Sequence, residues 1–290
     1  MNALLQVEHL VKEFAVSGQG LRRQTLRAVD DVSFSVSPGE TVAVVGESGS
    51  GKSTSARLAV RLLDATSGTV SFAGEDITGL SGRRLNRFRG GVQVVFQDPF
   101  SSLNPKHTVH DIVTAPLRYQ GRAPRRGSRS LVGDLLERVG LDPAAMDRYP
   151  SQFSGGQAQR IGIARALAVD PQILVCDEAV SALDVSVQAQ VLKLLADLQL
   201  ERGLGFLFIA HDLAVVRQIA DTVLVMQQGR VVERGTRDEV FDRPRHDYTK
   251  TLLDAVPRIN PEWEARRRAG RSASAARQDG PAHPTERTSR

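Results

Sequence analysis

The sequence has little cysteine, few aromatic residues and no long apolar run. One cysteine, Cys176, among 290 residues excludes an intrachain disulfide and any site built from four cysteines. No apolar stretch approaches about 18 residues, so we expect no membrane-spanning helix. Charges at Glu8, Lys12 and Glu13 interrupt any signal-peptide core. These absences fit a reducing cytoplasm, and we expect any membrane role to require a partner protein.

The net charge of +5 is concentrated at the C-terminal end. Residues 261–290 hold seven arginines and four acidic residues, so they supply +3 of the total. The segment can be read as a solvated basic tail or as a patch for nucleic acid. The nearly neutral remainder favours the first interpretation, and we expect no nucleic-acid partner. Residues 260–290 also lack hydrophobic periodicity, which predicts disorder.

Residues 4–45 are predicted to form strands. Residues 32–36 alternate apolar side chains with serines, which is typical of a half-buried antiparallel strand. The β-branched run Thr41–Val45 predicts a fully buried strand. A helix is predicted over Lys52–Leu63, and Thr69–Phe72 predicts a further strand.

The second half of the chain predicts a parallel sheet covered by helices. Residues 99–151 hold six prolines and an apolar helical pattern, which indicates a mostly helical insertion. Strands and helices then alternate, and that order is typical of a parallel sheet with helices on both faces. The predicted elements are helix Gln157–Ala168, strand Ile173–Asp177, helix Ser186–Arg202, strand Phe206–Ala210, helix Leu213–Ala220 and strand Thr222–Met226.

A phosphate-binding pattern follows the buried strand. Residues 46–54 fit G-x-x-x-x-G-K-[ST], with a predicted strand before them and a predicted helix after them. Glycines let successive N–H groups face a phosphate chain, and the helix N-terminus adds partial positive charge. Lys52 is predicted to reach the β- and γ-phosphates, and Ser53 to ligate Mg²⁺. The predicted nucleotide-binding residues here are Gly46, Glu47, Ser48, Gly49, Ser50, Gly51, Lys52, Ser53 and Thr54.

Two adjacent carboxylates end the strand Ile173–Asp177. A buried strand that runs into Asp177 and Glu178 is either surfacing into solvent or meeting a cation and water. The phosphate-binding pattern favours the second interpretation. Asp177 is then predicted to orient Mg²⁺, and Glu178 to polarise the attacking water. Cys176 is interpreted as a packed strand residue rather than a nucleophile.

A second glycine turn precedes the helix predicted at Gln157. Ser154, Gly155, Gly156 and Gln157 place free N–H groups at a helix N-terminus, a second potential anion site. An ordinary N-cap turn is the generic alternative. The run from Phe153 to Arg160 resembles the signature motif of ATP-binding cassette (ABC) ATPases.

The other motifs of that family follow in the same order. Gln97 resembles the Q-loop glutamine, Ser181–Asp184 resembles the D-loop, and His211 resembles the switch histidine. Phe14 stands where the family places an aromatic residue that stacks on adenine. The resemblance covers residues 4 to about 257. It implies an α/β fold with a P-loop (RecA-like) core, an N-terminal antiparallel β subdomain, and a helical subdomain between Q-loop and signature motif.

The resemblance also implies a mechanism. Two ATP molecules are held between two subunits, with the Ser154 turn of one subunit facing the phosphate loop of the other. Hydrolysis then reopens the dimer. The implied catalytic residues are Glu178, His211, Gln97 and Lys52. Ser53, Gln97 and Asp177 are the implied Mg²⁺ ligands, and Asp184 adds to the nucleotide-binding set.

Longer stretches resemble one branch of the family, the ATPases of oligopeptide and dipeptide importers. They are residues 97–105, residues 177–190, and His246–Leu253 followed by Val256 and Pro257. Asp247 departs from the pattern, which usually has proline there. The branch implies two permease subunits, a second ATPase subunit that is identical or homologous, and an extracytoplasmic binding protein. The expected location is the cytoplasmic face of the membrane.

The predicted domain plan is an ABC ATPase domain over residues 1–259. It includes a helical subdomain at about 99–160 and a peptide-importer extension at about 236–259. Alternative functions are a non-transport ABC ATPase, an ATP-binding subunit with little turnover, and a P-loop kinase. An importer of nickel complexes or glutathione also stays open.

Overall fold

Two β-sheets meet at the phosphate loop in the computed structural model. The structure describes residues 3–17, 23–122 and 127–255. The chain divides into one unit over Met1–Leu253 and a second that begins at Asp254, of which only residues 254 and 255 are described. The predicted tail, together with Arg125, Arg126, Val256 and Pro257, lies outside the described residues.

The N-terminal sheet is antiparallel, as residues 4–36 predict. Its strands are ordered β2-β1-β4-β5. Their alternate apolar side chains, such as Leu5, Val7 and Phe34, are buried against the core. The bounds are β1 Leu5–Ser17, β2 Arg23–Val36, β4 Ser67–Phe72 and β5 Glu75–Asp76.

The central sheet has six strands in the order β10-β9-β3-β8-β7-β6. Five of them are parallel, and β10 pairs antiparallel with β9 at one edge. Strands β3, β7 and β8 are buried along their whole length, because helices cover both faces of a parallel sheet. The bounds are β3 Thr41–Val45, β6 Val92–Val95, β7 Ile173–Asp177, β8 Gly205–Ile209, β9 Thr222–Gln227 and β10 Arg230–Thr236.

The helices around this sheet agree with the predicted ones except at their ends. The helix predicted over Lys52–Leu63 ends at Ala59, because Arg61 adopts a left-handed φ of 55° and its guanidinium donates to the carbonyls of Ile77 and Leu80. No helix was predicted over residues 82–91, 237–242 or 247–254, where the structure has three. The bounds are α1 Lys52–Ala59, α2 Gly82–Gly91, α6 Gly155–Leu167, α7 Val185–Arg202, α8 Leu213–Ile219, α9 Arg237–Asp242 and α10 Asp247–Asp254.

Between β6 and α6 in the sequence, the chain forms a group of short helices, as the proline-rich residues 99–151 predict. Val113, Leu117, Leu135 and Leu136 are buried in it. The exact limits of this subdomain stay a prediction. Its elements are α3 Pro99–Ser102, α4 Val109–Tyr119, α5 Ser128–Arg138 and two 3-10 turns at Pro143–Asp147 and Pro150–Gln152. Within residues 3–17, 23–122 and 127–255, none of the helices has the length and apolarity to cross a bilayer.

Candidate nucleotide site

The phosphate loop connects β3 to α1 at the carboxyl end of the central sheet. Gly46 has a φ of 148°, and a Cβ there would lie 2.2 Å from the carbonyl oxygen of Met226. Only glycine therefore fits where the loop passes β9. The N–H of Gly229, in the turn between β9 and β10, donates to the carbonyl of Ser50 at 3.0 Å. The loop is thus braced by the neighbouring hairpin.

Lys52 is buried beneath this loop with only 5% of its surface exposed. Its Nζ donates to the carbonyls of Gly46 and Glu47, each at 2.7 Å. Burial lowers the pKa of Lys52, and the nearby carboxylates of Glu178, Asp177 and Glu47 oppose that shift. Because carbonyl dipoles rather than an ion pair hold the ammonium group, its charge is available to an anion in the loop.

Asp177 at the end of β7 meets Ser53 at the start of α1. The Ser53 hydroxyl donates to Asp177 Oδ1 at 2.8 Å. A hydroxyl and a carboxylate side by side are the hard oxygen donors that Mg²⁺ prefers, so these residues fit that ion. Arg57 lies 3.7 Å from Asp177 Oδ2, a contact not predicted from the sequence. The sequence could have indicated this contact, because Ser53 and Arg57 are four residues apart and therefore share one face of the helix.

Glu178 adopts a strained backbone conformation next to His211. Its φ of 50° is in the left-handed region that non-glycine residues rarely adopt. The N–H of Glu178 donates to Ile209, and its carbonyl accepts from the N–H and hydroxyl of Ser181. His211 Nδ1 lies 3.5 Å from Glu178 Oε2. The surroundings hold the strain in place and set the carboxylate beside the imidazole, an arrangement found at functional sites.

Two further residues predicted for the site, Gln97 and Phe14, are both exposed. Gln97 is exposed and follows β6, whose last residue pairs with Cys176, so it ends at the same sheet edge as Asp177. Phe14 on β1 is 36% exposed, with Lys12 Nζ 5.2 Å from its ring centroid. Cys176 is fully buried and its pKa is raised by burial to about 12, which agrees with a packed strand residue.

The Ser154 turn begins α6 and is capped by its own residues. The N–H of Ser154 donates to Gln157 Oε1 at 3.0 Å, and Ser154 Oγ accepts from the N–H of Gln157 at 3.4 Å. A Cβ at Gly156 would lie 2.3 Å from Val187 Cγ1. Glycine is therefore required by the close approach of α6 to α7.

Asp184 caps α7 beside that turn. Its Oδ1 accepts from the N–H groups of Ser186 and Val187, at 3.1 and 3.0 Å. The hydrogen bond from Val187, followed by that from Ser186, lowers the pKa of Asp184 although burial acts in the opposite direction. Leu183 lies 3.9 Å from the Cβ position of Gly155. Two predicted motifs that are distant in sequence, the Ser154 turn and residues 181–184, thus pack together.

Two further residues were not predicted from the sequence. Gln159 is 1% exposed, and its Nε2 donates to the carbonyl of Phe96 at 3.4 Å, so α6 contacts the segment that carries Gln97. The N–H of Glu47 donates to the Tyr248 hydroxyl at 3.0 Å. A polar residue on the buried face of α6 could have indicated Gln159. No local pattern indicates the contact of Tyr248 with Glu47, because the two residues are 201 positions apart in the sequence.

A family model described as "ABC transporter" matches residues 29–181. The chain belongs to this ABC transporter family. A second model, described as "Oligopeptide/dipeptide transporter, C-terminal region", matches residues 232–281. The chain is 52% identical to the probable peptide ABC transporter ATP-binding protein y4tS of Sinorhizobium fredii, over 90% of this chain and 74% of that protein. It is 49% identical to the oligopeptide transport ATP-binding protein OppF of Bacillus subtilis, over 91% of this chain and 86% of that protein.

Solved ABC structures share the fold. The dimeric ATP-binding cassette MJ0796 in a post-hydrolysis state with ADP and Pi has a TM-score of 0.70 and 27% identity, and covers 80% of this chain and 98% of that one. CbiO1 from Clostridium perfringens has a TM-score of 0.72 and 27% identity, and covers 89% and 98%. The predicted ABC ATPase fold, with its antiparallel sheet and inserted helices, is confirmed.

Proposed function

We propose that this ABC ATPase drives peptide import by binding and hydrolysing ATP at the loop Gly46–Thr54. The observation that carries the proposal is the meeting of three motifs, the phosphate loop, the pair Asp177–Glu178 and His211, at one sheet edge. Lys52 lies inside the loop, Ser53 contacts Asp177, and Glu178 lies beside His211. That arrangement combines a phosphate cradle, a metal-binding pair and a candidate base within one chain.

The chain's own residues supply the parts of the hydrolysis that lie at this sheet edge. The loop N–H groups and Lys52 bind the β- and γ-phosphates and meet charge that develops there. Ser53 and Asp177 would hold Mg²⁺, with Gln97 at the same edge of the sheet. That ion, when bound, neutralises charge on the phosphate oxygens. Glu178 orients the attacking water and accepts its proton, and His211 contacts the γ-phosphate and fixes the carboxylate.

A second ATPase subunit completes each site in this proposal. The Ser154 turn and Asp184 lie together on one surface, and they would cap the nucleotide bound by the facing subunit. The dimeric MJ0796 cassette supports this arrangement. Phe14 would stack on the adenine. The partner subunit is identical or homologous.

Peptides are the proposed cargo, and two permease subunits the proposed membrane partners. Relatives named for oligopeptide transport match at 49–52% identity, and the C-terminal match supports the same branch. Exposed Leu62, Phe96 and Phe100 near the Gln97 segment offer an apolar surface for a permease. The chain would then sit at the cytoplasmic face of the membrane, and an extracytoplasmic binding protein would deliver the peptide. Glutathione is the second candidate cargo, because GsiA of Escherichia coli is 48% identical over 42% of its own length.

The base assignment is tested with Glu178→Gln. We expect this variant to bind MgATP with unchanged affinity and to lose turnover by about 100-fold or more, because only the proton acceptor is removed. ATP binding is measured by calorimetry and turnover by phosphate release from the assembled transporter. Glu137→Gln, at an exposed position on α5, is the matched control. Full turnover by Glu178→Gln would contradict the assignment, and failure of the wild type to bind ATP would contradict the proposal as a whole.

A further inference from the structure

A C-terminal tyrosine contacts the phosphate loop, although it is outside the motifs that were predicted to bind nucleotide. The hydroxyl oxygen of Tyr248, on α10, accepts a hydrogen bond from the N–H of Glu47 at 3.0 Å. Tyr248 is half-buried, whereas Glu47 is exposed. The contact therefore joins the segment matched by the oligopeptide/dipeptide C-terminal model to the nucleotide loop.

The same peptide unit is held from two opposite sides. The carbonyl of Gly46 accepts from Lys52 Nζ at 2.7 Å, and the N–H of the same peptide, at Glu47, donates to Tyr248. In a planar trans peptide the carbonyl and the N–H point in opposite directions. Tyr248 and Lys52 thus fix the tilt of one peptide plane between them. A change at either contact alters the position of the other.

Strand β10 anchors Tyr248 in turn. Glu233 on β10 accepts from the backbone N–H groups of Arg245 and His246, at 2.8 and 3.0 Å. His246 Nδ1 then accepts from the N–H of Tyr248 at 3.2 Å. The turn before β10 braces the loop independently, through Gly229 and Ser50. The β9–β10 hairpin therefore contacts the phosphate loop directly and also through Tyr248.

We propose that Tyr248 is a positioning residue of the ATP site, through which the C-terminal segment and the phosphate loop are coupled. This inference rests on the proposed ATP site at Gly46–Thr54. Tyr248 acts on the loop and not on the reacting atoms, so it influences nucleotide affinity more than the chemical step. Coupling of this kind is reciprocal: if the contact strengthens ATP binding, bound ATP strengthens the contact by the same factor.

The affinity arm of the test compares Tyr248→Phe with Tyr119→Phe in the full chain. Tyr119 is highly exposed and loses the same hydroxyl, so it serves as the matched control. Tyr248→Phe removes one hydrogen bond to the loop. We therefore expect its MgATP affinity to fall by about two- to tenfold. The expected kcat stays within about twofold of wild type, because an interaction made equally before and during the reaction affects KM alone. Glu233→Gln should change the affinity in the same direction by a smaller factor.

The exchange arm measures amide hydrogen exchange with and without MgATP. In Tyr248→Phe we expect faster exchange at Glu47, whose acceptor is gone. In the wild type, MgATP should slow exchange at Arg245 and His246, and in Tyr248→Phe it should not. Unchanged MgATP affinity in Tyr248→Phe would overturn the inference, as would a loss of kcat without a change in KM. Failure of the wild type to bind MgATP would instead overturn the proposed function.

Discussion

The two helix N-termini at which phosphate binding is predicted differ in how their N–H groups are satisfied. Among the described residues, no side chain caps α1, which begins at Lys52 after Gly51. In contrast, α6 begins with a complete capping box between Ser154 and Gln157. Uncapped N–H groups at a helix start attract an anion, whereas a capped start is already partly satisfied.

The groups that surround the two helix starts differ as well. The α1 region holds the Lys52 ammonium group and the carboxylates of Asp177 and Glu178 in one place. The α6 region has packing requirements instead, with Gly156 pressed against Val187. The difference supports the proposed division, in which one chain binds the phosphates at the start of α1 and presents the start of α6 to a second subunit. Three predictions test that division.

Lys52→Ala should have the largest effect of the three. The ammonium group makes charge-assisted hydrogen bonds, so we expect MgATP affinity to fall by roughly 10- to 100-fold in the isolated subunit. Calorimetric titration measures it. Lys193→Ala removes an exposed lysine paired with Asp197 on α7, and should leave the affinity unchanged. Equal affinities in the two variants would contradict the proposed role of Lys52 in the phosphate site.

Gly156→Ala should spare ATP binding and weaken ATP-driven pairing of subunits. The added Cβ would meet Val187 Cγ1 at 2.3 Å and displace the start of α6. We expect overpacking of this size to weaken dimerisation roughly tenfold. Sedimentation measures it in proteins that also carry Glu178→Gln, which keeps ATP bound without turnover. Gly162→Ala is the matched control on the same helix, where a Cβ would enter open space.

The double variant Gly156→Ala with Val187→Ala sharpens this test. It removes the methyl group that causes the clash, so dimerisation should recover in part. No recovery would mean that Gly156 serves the partner's nucleotide directly and not the packing of α6 on α7. A loss of ATP affinity in the single variant would contradict the division between the two regions.

Local patterns in the sequence predict the parts of the site that depend on neighbouring residues. Thr41–Val45 and Ile173–Asp177 have the predicted bounds, because each is a buried apolar run with a sharp polar or glycine boundary. Residues 46–51 form a loop between a strand and a helix because the glycines permit it. The meeting of Asp177 with Ser53 follows from both lying at the carboxyl edge of one parallel sheet.

Other features depend on distant residues and could not be predicted. Strand β6 has only four residues after Gly90 and Gly91, too short for a periodic pattern. The early end of α1 depends on carbonyls that Arg61 contacts 16 and 19 residues later. Tyr248 reaches Glu47 across 201 residues. In each case tertiary contacts determine the outcome, and a single sequence does not reveal them.

Asp184→Ala should have the smallest effect of the three, and the pH dependence of its melting temperature offers a separate test. Asp184→Ala removes the cap of α7, so we expect a lower melting temperature at pH 7 with unchanged MgATP affinity in the isolated subunit. The hydrogen bond from Val187 lowers the pKa of Asp184 below its ordinary value of 3.8. A lowered folded-state pKa contributes stability above the unfolded value, and that contribution is lost as the pH falls through the folded value.

The difference in melting temperature between wild type and Asp184→Ala should therefore be constant from pH 7 to about pH 5 and shrink below pH 4. Differential scanning calorimetry across that range measures it. Asp197→Ala, which removes an exposed carboxylate on the same helix, serves as the control. A difference that grows on acidification would contradict the cap. An affinity loss at pH 7 would instead place Asp184 in the phosphate site of its own chain, and the separation between the α1 and α6 regions would then fail at this residue.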